Sequence, residues 1–207
     1  MKLPVFRSRV VPVVSIDSVE QALPLAEALL EGGIDVIELT LRRPGGLPGI
    51  ERLSRSLPQI CVGAGTLLSA EDVSRARDAG ARFGLSPGAT PELFEAVHRV
   101  GLPFIPGVMT PGEAMQARAA GFLLLKLFPA AQAGGIRMLR AIRGPLPDLA
   151  FCPTGGVDAG NLREFLSESN VKFVGGSWVT PATCIQSGDW STITRLAREA
   201  STQADLA

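Results

Sequence analysis

The segment Phe122-Leu-Leu-Leu-Lys126-Leu-Phe128-Pro129 is an apolar run interrupted once, by an amine. In an extended strand, Lys126 shares its face with Phe122, Leu124 and Phe128. An amine among such neighbours is partly desolvated, and desolvation disfavours its charged form. A neutral lysine amine can add to a ketone and form a Schiff base. The alternative is a lysine whose stem lies along the strand end with its ammonium in water. This run alone leaves both readings open.

A second run, Ile34-Asp-Val36-Ile-Glu38-Leu-Thr40-Leu-Arg42, puts Val36, Glu38, Thr40 and Arg42 on one face. A carboxylate beside a nucleophilic amine can carry protons. An arginine there can hold a substrate carboxylate through two parallel hydrogen bonds. A structural Glu38–Arg42 ion pair is the competing explanation. Two further runs end in hydroxyls, Gly63-Ala64-Gly65-Thr66 and Cys152-Pro153-Thr154. Either threonine could equally serve a turn or a cap. Gly155-Gly156 follows one late run, and Gly175-Gly176-Ser177 closes another. Glycine pairs let backbone N–H groups approach an anion such as phosphate closely. Lys172 is offset by one residue from Val171 and Phe173 and is expected to face outward or towards a helix, and Lys2 has no evident place in the chemistry.

These residues need strands to carry them. The apolar runs Val10–Ser15, Ile34–Leu41, Ile60–Ala64, Arg82–Ser86, Pro103–Val108, Phe122–Phe128, Leu149–Thr154 and Val171–Gly175 read as strands covered on both faces, the mark of a parallel sheet. Helical stripes fall between them: Ala22-Leu25-Ala26-Leu29, Leu93-Phe94-Val97, Ile136-Leu139-Ile142 and Leu162-Phe165-Leu166. Thr110-Pro111-Gly112-Glu113 has the form of a capping box with proline at the first helical position. Ser69 and Thr90-Pro91 read as further helix starts, and Gly32-Gly33, Gly80 and Gly101 as helix stops. Eight strand–helix units in 207 residues favour a single (β/α)8 TIM barrel over residues 1–207. An open doubly wound sheet is the alternative. In a barrel, catalytic groups gather at the C-terminal ends of the strands, and phosphate binds after strands seven and eight.

Composition removes other classes. Twenty basic and twenty acidic side chains balance to a formal charge of zero. Nucleic-acid binding, which needs a basic surplus, is therefore not expected. Cys61, Cys152 and Cys184 are far apart and His98 is the sole histidine, so no zinc motif or disulfide framework is indicated. His98 is expected on the surface and Cys152 in strand packing. No apolar run approaches the ~20 residues of a membrane span. Met1 to Arg9 lacks the apolar stretch of a signal peptide. A reducing, cytoplasmic setting is expected.

As a set, several motifs resemble one family. Val10-Val-Pro-Val13, Ile37-Glu38-Leu-Thr-Leu-Arg42, Val62-Gly-Ala-Gly-Thr66, Ser86-Pro87-Gly88, Leu125-Lys126-Leu-Phe-Pro-Ala130, Phe151-Cys-Pro-Thr-Gly-Gly156 and Gly175-Gly-Ser-Trp178 are similar to motifs of the 2-keto-3-deoxy-6-phosphogluconate (KDPG) and 4-hydroxy-2-oxoglutarate aldolases, in the same order. The resemblance implies a homotrimeric (β/α)8 class I aldolase acting on a phosphorylated keto acid, without metal or other cofactor. It implies Lys126 as the Schiff-base lysine and Glu38 as the general acid/base. Arg42, Thr66 and Thr154 would surround the pyruvate moiety, with Pro87 and Phe128 also in the substrate site. Gly155, Gly156, Gly175, Gly176 and Ser177 would cradle the phosphate. The chain departs from the pattern at Arg43-Pro44-Gly45-Gly46, Leu127 and Ala131, and the helix that the family carries before the first strand is expected to be shortened or missing. Aldolases for 4-hydroxy-2-oxoglutarate or the galactonate epimer share the mechanism. A barrel isomerase using Glu38 without a covalent step, or a sugar-phosphate binding protein, would leave Lys126 unmodified.

Overall fold

The computed structural model describes residues 3–207, so Lys2 lies outside the described residues. Among the described residues there are nine strands, with a helix between each consecutive pair except β5 and β6: β1 Val10–Val14, β2 Val36–Thr40, β3 Cys61–Gly65, β4 Phe83–Leu85, β5 Phe104–Ile105, β6 Gly107–Val108, β7 Leu124–Leu127, β8 Ala150–Phe151 and β9 Val174–Gly176. Every strand pairing is parallel. The strands curl in two hydrogen-bonded groups, β5-β4-β3-β2-β1-β9 and β6-β7-β8. Isolated parallel bridges, Phe151 to Val171 and Thr154 to Gly175, link the β8 and β9 segments. Every residue of β2 and β3 is buried, as expected for strands covered on both faces.

Three strand expectations need correction. The fifth run is two short strands, β5 and β6, separated by Pro106. Proline has no N–H to give the ladder. Its carbonyl still accepts from the Lys126 N–H at 2.8 Å, so the chain stays in register with β7. The seventh run narrows to β8. Pro153 interrupts the residues after it, although the Cys152 and Thr154 N–H groups still donate to Leu125 and Leu127 at 2.8 and 3.0 Å. The last run is regular only over β9, three residues later than its expected start.

The helix signals hold where they rest on side-chain chemistry. Ser69, Thr90 and Thr110 each cap a helix, α3 (Ala70–Asp78), α4 (Pro91–Val100) and α5 (Pro111–Ala119) in turn. At α5 the capping box is complete: Glu113 accepts from Met109 and Thr110 N–H at 2.7 and 2.9 Å. Gly80 and Gly101 adopt positive φ at the ends of α3 and α4. The stripe of α1 (Ala22–Glu31) is buried as its period requires. The helix α2 (Gly46–Ser56) has no clear signal in the sequence, because glycine and proline occupy its first turn. Gly49 packs closely there, since an added Cβ would lie 2.8 Å from the tip of the Ile16 side chain. The remaining helices are α6 (Gly135–Arg143), α7 (Leu162–Leu166), α8 (Ala182–Ser187) and α9 (Trp190–Asp205).

No helix precedes β1 within residues 3–9. The Phe6 ring lies 6.0 Å from that of Phe83 and 5.4 Å from that of Phe173, next to the starts of β4 and β9. The Arg7 and Ser8 N–H groups donate to the Asp35 carboxylate, which fixes this segment beside β2. No helix of the described residues is long and apolar enough to cross a membrane.

Candidate active site

Five of the buried polar residues, Glu38, Thr40, Ser86, Lys126 and Thr154, sit at or just past the C-terminal halves of β2, β4, β7 and β8. Burying a polar group is unfavourable unless it is hydrogen-bonded. Their partners therefore define the site.

Lys126 and Glu38 are 88 residues apart in sequence and in direct contact in the fold. The Lys126 Nζ donates to Glu38 Oε1 at 3.0 Å and to Oε2 at 3.3 Å. Lys126 is 5 % exposed and Glu38 1 % exposed. Two buried charges are tolerated only as a pair, and removing one partner costs about 3–5 kcal/mol. The lysine that could have turned out to water is thus held inside. Its Nζ also stands 5.4 Å from the centre of the Phe128 ring.

Glycines make the room for this contact. In register, Glu38 lies opposite Gly63 and Lys126 opposite Gly107. A Cβ on Gly65 would overlap Glu38 Oε1. A Cβ on Gly107 would overlap the Pro87 carbonyl group, which brings the Ser86-Pro87 turn against β6. The buried Ser86 Oγ accepts from the Gly107 N–H at 3.3 Å.

Thr154 occupies the neighbouring wall. Its Oγ1 donates to the Cys152 carbonyl at 3.4 Å and lies 3.7 Å from Cys152 Sγ. Burial pushes the Cys152 thiol up to about 12, opposed by the Thr154 hydroxyl and the Lys126 charge and reinforced by Glu38. Cys152 therefore sits within the field of both charged groups. Gly175 is glycine for a local reason, because a Cβ there would overlap Thr154 Oγ1. The same holds for Gly176, against the Trp178 ring.

The KDPG and KHG aldolase model matches residues 4–196. The chain belongs to the KDPG and KHG aldolase family. It is 44 % identical to 2-dehydro-3-deoxy-phosphogluconate aldolase of Pseudoalteromonas atlantica, over 92 % of this chain and 89 % of that one. It is 41 % identical to the KHG/KDPG aldolase of Escherichia coli, over 95 % and 92 %. A solved structure of KDPG aldolase from Legionella pneumophila, with pyruvate captured at low pH as a covalent carbinolamine intermediate, superposes with a TM-score of 0.92 at 46 % identity, covering 94 % of each chain.

The other residues expected in this aldolase-family site fall around the same strand ends. Thr66 follows β3 with φ of 63°, a left-handed conformation rare for a β-branched residue. Pro87 is half-buried after β4, and Phe128 follows Lys126. Gly155 and Gly156 take φ of 92° and 83°. Among the described residues, the Gly156 and exposed Ser177 N–H groups donate to no protein acceptor. Arg42 is exposed, and its Nε donates to Thr40 Oγ1 at 3.4 Å. The departing loop is tied to the loop after β1: Arg43 pairs with Asp17 at 3.4 Å, and the Gly45 N–H donates to Ile16 at 3.2 Å.

The sequence gives Ser15 and Ser86 no role, although Ser86 stands in the Ser86-Pro87-Gly88 motif, and it does not place Cys152 beside the charged pair. Ser15 does carry a signal: it ends the Val10–Ser15 run with a hydroxyl at a strand's C-terminal end. Ser86 carries the same signal at the end of the fourth run. His98 and Lys172 are exposed, as expected.

Proposed function

We propose that this chain is a class I aldolase that cleaves 2-dehydro-3-deoxy-6-phosphogluconate to pyruvate and glyceraldehyde 3-phosphate, with Lys126 as the Schiff-base residue. The observation that carries the reading is the buried contact between the Lys126 amine and the Glu38 carboxylate. An ammonium must lose a proton before it attacks a carbonyl, and Glu38 is the acceptor in reach. The neutral amine adds to the C2 ketone to give a carbinolamine, the intermediate named for the Legionella enzyme. The protonated Glu38 returns its proton to the carbinolamine hydroxyl, which leaves as water to give an iminium and restores the Glu38 carboxylate. Glu38 then takes the proton of the C4 hydroxyl, the C3–C4 bond breaks, and its electron pair moves into the iminium to form an enamine. The aldehyde departs, C3 is protonated, and water releases pyruvate and restores the amine.

Arg42, Thr66 and Thr154 act on the pyruvate carboxylate and the developing enamine, with Pro87 and Phe128 lining the same site. The Gly156 and Ser177 N–H groups, which meet no acceptor among the described residues, suit with Gly155, Gly175 and Gly176 a phosphate that the backbone holds. We read the curled sheet as a closed (β/α)8 barrel in one domain, residues 1–207. The continuity of β5 and β6 across Pro106 and the bridges between the β8 and β9 segments support closure. A homotrimer follows from family resemblance. A cytoplasmic location fits the three free cysteines. Activity on 4-hydroxy-2-oxoglutarate is the second reading, favoured by the double name of the Escherichia coli relative.

The test is chemical. Incubation with pyruvate and borohydride, followed by peptide mass spectrometry, should place a reduced pyruvyl adduct on Lys126. Lys126→Ala should lose both adduct and turnover. An unmodified Lys126 in the wild-type chain would overturn the assignment and leave the isomerase or binding-protein readings.

A further inference from the structure

We propose that Thr40 is the positioning residue for Arg42, acting through a directed hydroxyl chain that ends on Ser15. The proposal rests on the reading of Arg42 as the group that holds the substrate carboxylate. Thr40 Oγ1 lies 3.4 Å from Arg42 Nε and 2.6 Å from Ser15 Oγ. A guanidinium only donates, so Thr40 must accept from Arg42. Thr40 is 1 % exposed, so its own proton also needs an acceptor inside the protein. Ser15 Oγ is the acceptor at hand. The direction of the chain is then set: Arg42 N–H to Thr40, and Thr40 O–H to Ser15.

The anchor matters because Arg42 is exposed and its side chain carries several rotatable bonds. No carboxylate among the described residues pairs with it. Among the described residues, the Thr40 hydroxyl is thus the one side-chain hydrogen bond that orients the guanidinium. The backbone supports the same geometry, since the Gly45 N–H donates to the Ile16 carbonyl at 3.2 Å and ties the segment after Arg42 to the segment after Ser15.

Two substitutions separate the hydroxyl from the packing. Thr40→Val keeps the branched shape and deletes the chain, whereas Thr40→Ser keeps the chain and deletes a methyl group. The readouts are the pyruvate concentration that half-saturates borohydride trapping on Lys126, and KM and kcat for cleavage. Thr40→Val should raise half-saturation and KM about five- to ten-fold, the size of one ordinary hydrogen bond, as suits a contact 3.4 Å long at an exposed guanidinium, with kcat within about two-fold. Thr40→Ser should behave as wild type. Ser15→Ala, made at a half-buried position, should move KM in the same direction by about two- to three-fold and covers the case of a Thr40→Val protein that fails to fold. Unchanged half-saturation in Thr40→Val, or equal impairment in Thr40→Ser, would overturn the proposal. Arg42→Gln separates positioning from carboxylate binding. If it raises KM while Thr40→Val does not, positioning fails and the carboxylate role stands. If Arg42→Gln changes nothing, the carboxylate role itself fails.

Discussion

Gly65→Ala should disable the site without replacing a functional side chain. Gly65 does not have positive φ, so alanine carries no backbone penalty there. The whole effect is contact. The new Cβ would overlap Glu38 Oε1 and lie 2.7 Å from Cγ and 2.8 Å from Cδ of the same side chain. Carbon atoms rest at about 3.5–4.0 Å, so the Glu38 side chain must retreat by about 1 Å. Its carboxylate starts 3.0 Å from the Lys126 Nζ, and such a retreat takes it out of hydrogen-bond range. Forcing an atom into a packed site costs about 1–3 kcal/mol. For a chain of this size each kcal/mol lowers Tm by about 2–4 °C, so a fall of about 2–12 °C is expected. A misplacement of about 1 Å in a reacting group costs on the order of 100-fold in rate. Calorimetry gives the first quantity, and pyruvate release coupled to NADH oxidation gives the second. Gly144→Ala is the control: its φ is −61° and an added Cβ meets nothing within 4 Å. It should leave both quantities near wild type. Turnover within two-fold of wild type in Gly65→Ala, or an equal loss in Gly144→Ala, would contradict this account.

Two further expectations come from charge and burial. The Glu113 carboxyl is held below its usual range, chiefly by the Met109 N–H. A depressed carboxylate adds stability above its unfolded value of about 4.3 and loses it as pH falls through the folded one. The difference in Tm between wild type and Glu113→Gln should therefore be largest near pH 7 and shrink under acid; a pH-independent difference would remove the capping carboxylate as its cause. Burial pushes Cys61 and Cys152 up to about 11 and about 12, while Cys184 is half-buried. A thiol reagent at pH 8 should find no more than one reactive thiol in the folded protein and all three after denaturation.

Much of the site was legible because strand side chains alternate. A lone amine in the apolar run Phe122–Phe128, and Glu38 on one face with Thr40 and Arg42, mark two strands whose polar residues gather toward one end. Parallel strands put those ends on the same side of the sheet, so two such residues can converge whatever their separation in sequence. Capping boxes and glycine stops were legible too, since their hydrogen bonds span only three or four residues.

The features that were not legible depend on neighbours distant in the chain. Pro106 splits the fifth run without losing its register, because its carbonyl keeps the bond to Lys126. Gly65 reads as an ordinary turn glycine until β2 brings the Glu38 carboxylate across it. Gly175 and Gly176 read as a phosphate cradle, yet Thr154 and Trp178 also require them. Ser15, Thr40 and Arg42 become a chain only when β1 and β2 pair. Local periodicity settles which residues face inward and toward which end. The distances at which they meet, 3.0 Å for Lys126 and Glu38 across 88 residues, come from strand order and register, which close packing imposes on the chain as a whole.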